Sequence, residues 1–137
     1  MSGALAGKVA VVTGGTRGIG RATAAAFAHE GADVLGIDTT GPVSATLDVA
    51  QAAPDELADT GCLVEAASRR WMARTLDQRN LPTLRRAAAD AMAAWSHIDI
   101  LFASASIQSF KSILEWEDAE PAARRAGIAS GAAHEKF

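Results

Sequence analysis

The sequence predicts an α/β fold in which about four parallel strands, in the order 3-2-1-4, carry helices on both faces. Short apolar runs alternate with longer helical stretches, as in consecutive strand–helix–strand units. The first apolar run leads directly into a glycine-rich turn that opens a helix. Right-handed crossovers between such units produce a doubly wound sheet with this strand order.

Composition limits the functional classes. The 137 residues are enough for one domain with a core, and 49% of them are hydrophobic, which favours a globular protein. A net charge of -3 argues against a nucleic-acid partner, and no apolar run is long enough to span a membrane. The single cysteine, Cys62, excludes an internal disulfide, and we expect its helix to bury it. A cytoplasmic location is expected.

The first half of the chain contains two predicted strands and a helix between them. The run from Val9 to Thr13 is apolar and rich in β-branched residues, as in a strand buried on both faces. Residues 18–30 form the helix, and Gly31 ends it. A second strand runs from Asp33 to Ile37 and closes at Asp38. The apolar face of the helix is expected to contain Ile19, Ala22, Ala26 and Phe27.

An irregular connection over residues 39–53 precedes the next predicted elements. A helix begins at Pro54 and runs to about Ser68, and a third strand follows from Arg70 to Leu76. Asn80 caps a helix over residues 81–96, and the fourth strand runs from Ile98 to Ala103. The apolar side of this last helix is expected to contain Leu84, Ala88, Ala91, Met92 and Trp95.

The glycine-rich turn carries the main chemical signal. Its spacing is Gly14-x-x-x-Gly18-x-Gly20, between a buried strand and a helix. Gly14 permits the tight turn, Gly18 permits close approach of a pyrophosphate, and Gly20 permits close packing of the helix. The helix N-terminus then offers free N–H groups to the phosphates, with Thr16, Arg17 and Ile19 in the same loop. The alternative is an ordinary turn in a non-binding α/β protein.

Asp38 ends the second strand about 20 residues beyond the glycines. A carboxylate at this place accepts hydrogen bonds from the adenosine ribose and repels a 2′-phosphate, which favours NAD over NADP. Arg17 argues the other way because it could pair with a 2′-phosphate, although it could equally touch the pyrophosphate or point into solvent. Asp38 could also be a solvated turn residue.

Three segments resemble the short-chain dehydrogenase/reductase family. Thr-Gly-Gly-Thr-Arg-Gly-Ile-Gly at residues 13–20 is similar to its cofactor motif, and Asp-Gln-Arg-Asn-Leu at residues 77–81 to its segment after the third strand. Residues 97–107 resemble its fourth strand. The resemblance implies that Asp77 faces the adenine amino group and that the Gln78 N–H meets the ring. The long connection and Arg69-Arg70 are similar to the actinobacterial subfamily linked to mycofactocin, whose members are thought to hold NAD without exchanging it.

The departures from the family bear on activity. The family's Asn-Ala-Gly, beside the nicotinamide ribose, is Ser104-Ala105-Ser106 here. The family's catalytic asparagine, serine and Tyr-x-x-x-Lys pair lie in later segments, and these 137 residues contain no tyrosine. No catalytic residue is therefore carried over, and the resemblance implies a truncated Rossmann fold: a dinucleotide-binding half-domain over residues 1–120 and an atypical tail over residues 121–137.

Other candidate sites are weaker. The three histidines have no metal-ligand spacing, so no metal site is expected. Ser109 and Lys111 are interpreted as parts of a solvated turn, and the acids around Trp116 as a solvated helix face. The tail is expected to be a loosely packed helix or partly disordered, and suggests truncation or a frame change of a longer ancestor.

Three functions remain open at this point. The first is an NAD(H)-binding protein of oxidoreductase lineage that is redox-competent only when a partner chain completes it. The second is a non-catalytic nucleotide-binding relic or regulator. The third is a cyclase, isomerase or dehydratase that uses the cleft above the strand ends, which lacks the family's catalytic groups. An open edge on the fourth strand predicts a homo-oligomer or a complementing chain.

Overall fold

The computed structural model describes residues 3–41 and 52–107. Four parallel strands form one sheet in the order β3-β2-β1-β4, which confirms the predicted α/β class and strand order. In chain order the elements are β1 (Val9–Thr13), α1 (Gly18–His29), β2 (Asp33–Asp38), α2 (Pro54–Ala66), β3 (Trp71–Thr75), α3 (Leu81–Trp95) and β4 (Ile100–Ala103). The predictions for residues 42–51 and 108–137, including the boundary at residue 120, lie outside the described residues.

Helices cover both faces of this sheet, as expected. Because side chains alternate along a strand, successive residues of β1 and β2 enter different cores. On one face α3 buries Ala87, Ala91 and Trp95 against Val9, Val11, Leu35 and Ile37. On the other face α1 and α2 bury Ala24, Ala28 and Val64 against Val12 and Val34. The near-continuous apolar composition of β1 and β2 follows from this double burial.

The predicted apolar face of α1 is wrong at three of its four residues, and only Phe27 packs against the core. The helix buries Gly20, Ala24 and Ala28, whereas Ile19 is 72% exposed. Ala22 and Ala26 are also exposed, and Phe27 is partly buried edge-to-face against Phe102. Small residues four apart make a flat stripe on which the helix can lie close to the sheet. In an alanine-rich helix this requirement, rather than the largest side chains, decides which face is inside.

The predictions for α3 and α2 are partly wrong for the same kind of reason. On α3, Ala91 and Trp95 are buried as expected, but Met92 is 47% exposed and Ala87 is buried instead. Cys62 is exposed, not buried. The buried positions of α2 are Leu57, Thr60, Gly61 and Val64, a stripe at helical spacing that leaves Cys62 outside it.

A buried carboxylate holds the start of β2 to the start of β3. The Asp33 side chain is 4% exposed and accepts hydrogen bonds from Arg70 N at 2.9 Å, Arg70 Nε at 2.8 Å and Arg69 Nε at 3.2 Å. The Arg70 guanidinium also lies 5.5 Å above the Trp95 ring, where a cation is favoured. Burial raises the pKa of the Asp33 carboxyl, but the hydrogen bonds from Arg70 and Arg69 outweigh burial and hold that pKa below its ordinary value.

A second carboxylate aligns β4 with β1. Asp99 accepts hydrogen bonds from Val9 N at 2.9 Å and from Lys8 Nζ at 3.1 Å, and His97 Nε2 lies 3.2 Å from it. The Val9 hydrogen bond, helped by Lys8, lowers the pKa of the Asp99 carboxyl.

None of the helices in the part of the chain that the structure describes is long and apolar enough to cross a membrane.

Asp33→Asn is expected to lower the free energy of unfolding by about 2 kcal/mol, because the new amide N–H groups face arginine N–H donors. Asp90→Asn, which breaks the exposed Arg74–Asp90 pair, is the matched control and should cost less than about 1 kcal/mol. Urea unfolding measures both. Equal losses in the two variants would contradict the assigned role of Asp33.

The contribution of Asp33 should also depend on pH in a defined direction. Its pKa is lowered in the folded protein, so near pH 4 the unfolded chain binds more protons. The stability difference between wild type and Asp33→Asn should be complete above about pH 5 and shrink as pH falls below the ordinary carboxyl pKa of about 3.9. A difference that stays constant from pH 6 to pH 3 would contradict this.

Candidate functional site

The glycine loop between β1 and α1 is anchored on neighbouring strands. Gly14 N and Gly15 N donate to the Ile37 carbonyl at 2.8 and 3.3 Å. Gly14 has φ +72°, and a Cβ there would lie 2.8 Å from Ala105 N, which follows β4. A residue with a side chain at this position would be strained by the positive φ and would clash with Ala105. The glycine therefore lets the loop pass between the ends of β2 and β4.

The two later glycines have different roles. A Cβ on Gly20 would lie 1.9 Å from the Gly14 carbonyl oxygen, so α1 packs directly on the loop backbone as only a glycine permits. Gly18 has φ +55°, and its Cβ would meet no atom within 4 Å. Space therefore lies next to the Gly18 backbone, at the place where the sequence predicts close approach of a pyrophosphate.

The N-terminus of α1 fits an anion. Within residues 3–41 and 52–107 no side chain caps this helix, and its first turn contains no acidic residue. The first N–H groups of a helix have no partner inside the helix, and they lie at the positive end of its dipole. A helix that begins at an open glycine without a protein cap offers these donors to a phosphate.

Asp38 is fixed beside the loop. One carboxylate oxygen accepts a hydrogen bond from Thr16 N at 2.9 Å and a short one from Thr16 Oγ1, and the other accepts from Thr39 N at 2.8 Å. Thr16 is buried. The carboxylate therefore has a defined position at the end of β2. The oxygen that accepts Thr39 N retains a lone pair for a further donor, whereas the oxygen that accepts both Thr16 groups does not.

Helix α2 supports the loop from behind, a feature that the sequence interpretation missed. The buried Thr60 hydroxyl donates to the Gly15 carbonyl at 2.8 Å and lies 3.2 Å from Arg21 Nε, which donates to it. Arg21 Nη2 also donates to the Glu56 carbonyl at 2.9 Å. The available signal was a hydroxyl on the buried stripe of α2, but its partner lies 45 residues away and no local pattern identifies it.

Arg17 does not project freely from the loop. Its Nη2 lies 3.3 Å from Glu56 Oε2, and the same carboxylate oxygen accepts Ala53 N at 2.9 Å. The sequence left three positions open for Arg17: at a 2′-phosphate, at the pyrophosphate or in solvent. The structure shows a different one, an ion pair with Glu56 in the first turn of α2.

Asp77 is engaged by its own neighbour. Arg79 donates to the Asp77 carboxylate from its backbone N at 2.9 Å and from Nη2 at 2.5 Å. The side-chain hydrogen bond from Arg79 is the main cause of a lowered pKa for the Asp77 carboxyl. The adenine contact implied by the family resemblance stays a prediction.

The segment after β4 is tied to the end of β1, next to the glycine loop. Ser104 N donates to the Thr13 carbonyl and Ala105 N to Thr13 Oγ1, both at 3.2 Å. Gln78 Nε2 lies 3.5 Å from the Ala105 carbonyl, while Ser106 is exposed. The structure thus gathers the glycine loop, Asp38 and the segment over residues 104–106 at the carboxyl ends of β1, β2 and β4.

Open α/β sheets bind ligands at the carboxyl ends of their strands, which is where these residues lie. The strand order reverses between β1 and β4, so the crevice outside their carboxyl ends is the topological switch point. Backbone donors and one carboxylate at such a crevice suit a dinucleotide, with the diphosphate on α1 and a ribose on Asp38. The described residues contain no group of histidine, cysteine and acidic side chains that could hold a metal ion.

Comparisons with known proteins agree with this geometry. The family model for short chain dehydrogenase matches residues 8–125. An uncharacterized NAD-dependent oxidoreductase of Mycobacterium tuberculosis is 37% identical over 116 residues, which are 85% of this chain and 42% of that protein. The chain thus spans less than half the length of this relative.

Solved structures show the same relationship. A short chain dehydrogenase from Mycobacterium paratuberculosis bound to NAD is 39% identical with a TM-score of 0.79, over 87% of this chain and 43% of that one. A carveol dehydrogenase from Mycobacterium avium in complex with NAD is 33% identical with a TM-score of 0.77, over 85% and 42% respectively. With its glycine loop, strand order and sequence all in agreement, this chain belongs to the short-chain dehydrogenase family.

Proposed function

We propose that this chain binds NAD(H), chiefly through its adenosine half, and serves oxidoreductase chemistry only when a partner chain supplies the catalytic groups. One observation carries the proposal: the open backbone at Gly18, under an uncapped helix N-terminus, lies in the same loop as the Asp38–Thr16 hydrogen bonds. The NAD-dependent relative and the two NAD-bound neighbours support the NAD-binding part of the proposal.

Each part of the site would have a separate task. The N–H groups of Gly18 and Ile19 would bind the diphosphate, and Asp38 would accept hydrogen bonds from the adenosine ribose. Asp77 and Gln78 would meet the adenine, with Arg79 holding the Asp77 carboxylate in place. Ser104, Ala105 and Ser106 would lie toward the nicotinamide ribose. Bound NAD would supply a hydride acceptor, and this chain's residues would bind and orient it.

The limit on chemistry comes from proton transfer. Dehydrogenation of an alcohol needs a group that takes the hydroxyl proton as the hydride leaves, and such general-base help contributes about 10²–10⁴-fold. The 137 residues contain no tyrosine to do this. We therefore propose binding as this chain's own activity and redox turnover as a property of a completed assembly.

The fourth strand indicates where such an assembly would form. Strand β4 lies at one end of the described sheet, and Leu101 is 68% exposed. Ile107, just beyond the strand, is exposed as well. An apolar strand edge in water favours pairing with another chain, and a second copy is the simplest occupant.

We further propose a cytoplasmic location, and a division of the chain into a dinucleotide-binding half-domain over residues 1–120 and a tail over residues 121–137.

Gly18→Ala should weaken NAD binding about tenfold or more, because a methyl group would keep the diphosphate from the α1 backbone. The matched control is Gly7→Ala, since Gly7 has φ +75° and equally open surroundings. Both variants should lose about 1 kcal/mol of stability from the left-handed conformation, but only Gly18→Ala should lose affinity by calorimetry. Loss of affinity in both, or in neither, would contradict a diphosphate at Gly18.

Wild type should bind NAD more tightly than NADP, and Asp38→Ala should narrow the difference because it removes a negative charge from the ribose site. Asp38→Ala also releases Thr16, so Thr16→Val is the control that loses the hydroxyl but keeps the carboxylate. The ratio of the two dissociation constants should stay unchanged in Thr16→Val. A wild type that prefers NADP would contradict the assignment.

Leu101→Asp should shift the protein to a smaller mass in light scattering, because the substitution places a charge on the proposed interface. Leu63→Asp is the control, because Leu63 is also an exposed apolar residue but lies on α2, outside the proposed interface. Helix α2 packs on the same face of the sheet as Phe102. It should leave the mass unchanged. A monodisperse wild-type monomer would exclude self-association, and assembly only with an added protein would indicate a complementing chain.

A further inference from the structure

The structure draws attention to a carboxylate that no motif contains. Glu56, in the first turn of α2, lies behind the glycine loop and outside the dinucleotide fingerprint. Its Oε2 lies 3.3 Å from Arg17 Nη2 and accepts Ala53 N at 2.9 Å. Its main-chain carbonyl accepts Arg21 Nη2 at 2.9 Å. Glu56 is therefore fixed at the start of its own helix by Ala53 N, and it contacts the loop at Arg17 and α1 at Arg21.

Arg17 is adjacent in sequence to the residue that binds Asp38. Thr16 donates its backbone N–H to Asp38 at 2.9 Å, so the Arg17 backbone begins one residue from the ribose carboxylate. An arginine near this carboxylate is the group that accommodates a 2′-phosphate in proteins that bind NADP. The loop therefore contains both a group that repels a 2′-phosphate and a group that could attract one.

Glu56 adds a negative charge beside these two groups. Without it, the charges of Arg17 and Asp38 sum to zero. With it, one cation faces two carboxylates, so the local charge is −1 and a dianionic 2′-phosphate meets net repulsion. The ion pair also places one guanidinium nitrogen, Arg17 Nη2, against a carboxylate oxygen where a phosphate oxygen would otherwise bind.

We infer that Glu56 is a specificity-determining residue: by pairing with Arg17 it withholds that cation from a 2′-phosphate and keeps the site selective for the unphosphorylated ribose. This inference rests on the proposed NAD site, but it adds a residue from a different element. Helix α2 then has two roles at the loop, since Thr60 supports the Gly15 carbonyl and Glu56 sets the charge.

Two adenine nucleotides that differ only in the 2′-phosphate test the inference: 5′-AMP and adenosine 2′,5′-bisphosphate. Glu56→Gln removes the charge but keeps a side-chain oxygen that can accept Ala53 N. In the full chain this variant should improve binding of the bisphosphate relative to 5′-AMP by about fivefold, the size expected for an exposed ion pair. Glu65→Gln, an exposed carboxylate on the same helix, is the matched control and should leave the ratio unchanged.

A double variant separates charge removal from loop loosening. The gain should disappear in Arg17→Ala/Glu56→Gln, because no cation is left to bind the 2′-phosphate. Arg17→Ala alone should change the ratio less than about twofold, since Glu56 already occupies Arg17. This single variant also provides the test if Glu56→Gln proves unstable in a thermal melt, because a large loss of bisphosphate binding would show Arg17 to be available in the wild type.

The outcomes are distinct. An equal ratio in Glu56→Gln and wild type, or a gain that persists in the double variant, overturns the role of Glu56. If wild type binds 5′-AMP and NAD while the ratio does not move, the proposed function stands and only this inference fails. If no variant binds any adenine nucleotide at millimolar concentration, the proposed function fails and the inference with it.

Discussion

Close backbone approach at the glycine loop is the constraint on which the rest of the structure depends. The first helix packs on the loop at a distance that excludes a Cβ on Gly20, and the loop passes the end of β4 at a distance that excludes one on Gly14. These two contacts join β1, α1 and β4 at one point. They also fix where α1 begins, so main-chain packing determines the position of the candidate phosphate site, and the Thr60 hydroxyl supports the loop from α2.

Much of this arrangement could be predicted from local sequence. A β-branched run, a glycine turn and a helical stretch identify each unit, and the strand order follows from the handedness of the crossovers. The same local signals failed where alanine dominates, because Ala24 and Ala28 rather than Ile19 face the sheet. A prediction from periodicity places the most hydrophobic side chains in the core. Close packing of a helix on a sheet instead requires small side chains at the contact.

The candidate site divides in a similar way. The glycines and Asp38 could be identified because spacing and strand ends are visible in the sequence. The partners of these residues could not, since the Thr60–Gly15 and Arg17–Glu56 contacts join a loop to a helix some 40 residues later. Such contacts depend on how two elements dock. They give the candidate site of this chain its particular surroundings.

The two carboxylates that hold the sheet lie at the ends of the strands opposite to the glycine loop. Asp33 joins the starts of β2 and β3, and Asp99 joins the starts of β1 and β4, while Asp38 and residues 104–106 occupy the finishing ends. The side chains that hold the starts of the strands are thus different from Asp38 and residues 104–106 of the candidate site. Outside the closely packed glycines, substitutions among those candidate-site side chains can therefore accumulate while the two carboxylates hold the sheet, and a lineage can change its ligand without first acquiring a more stable scaffold.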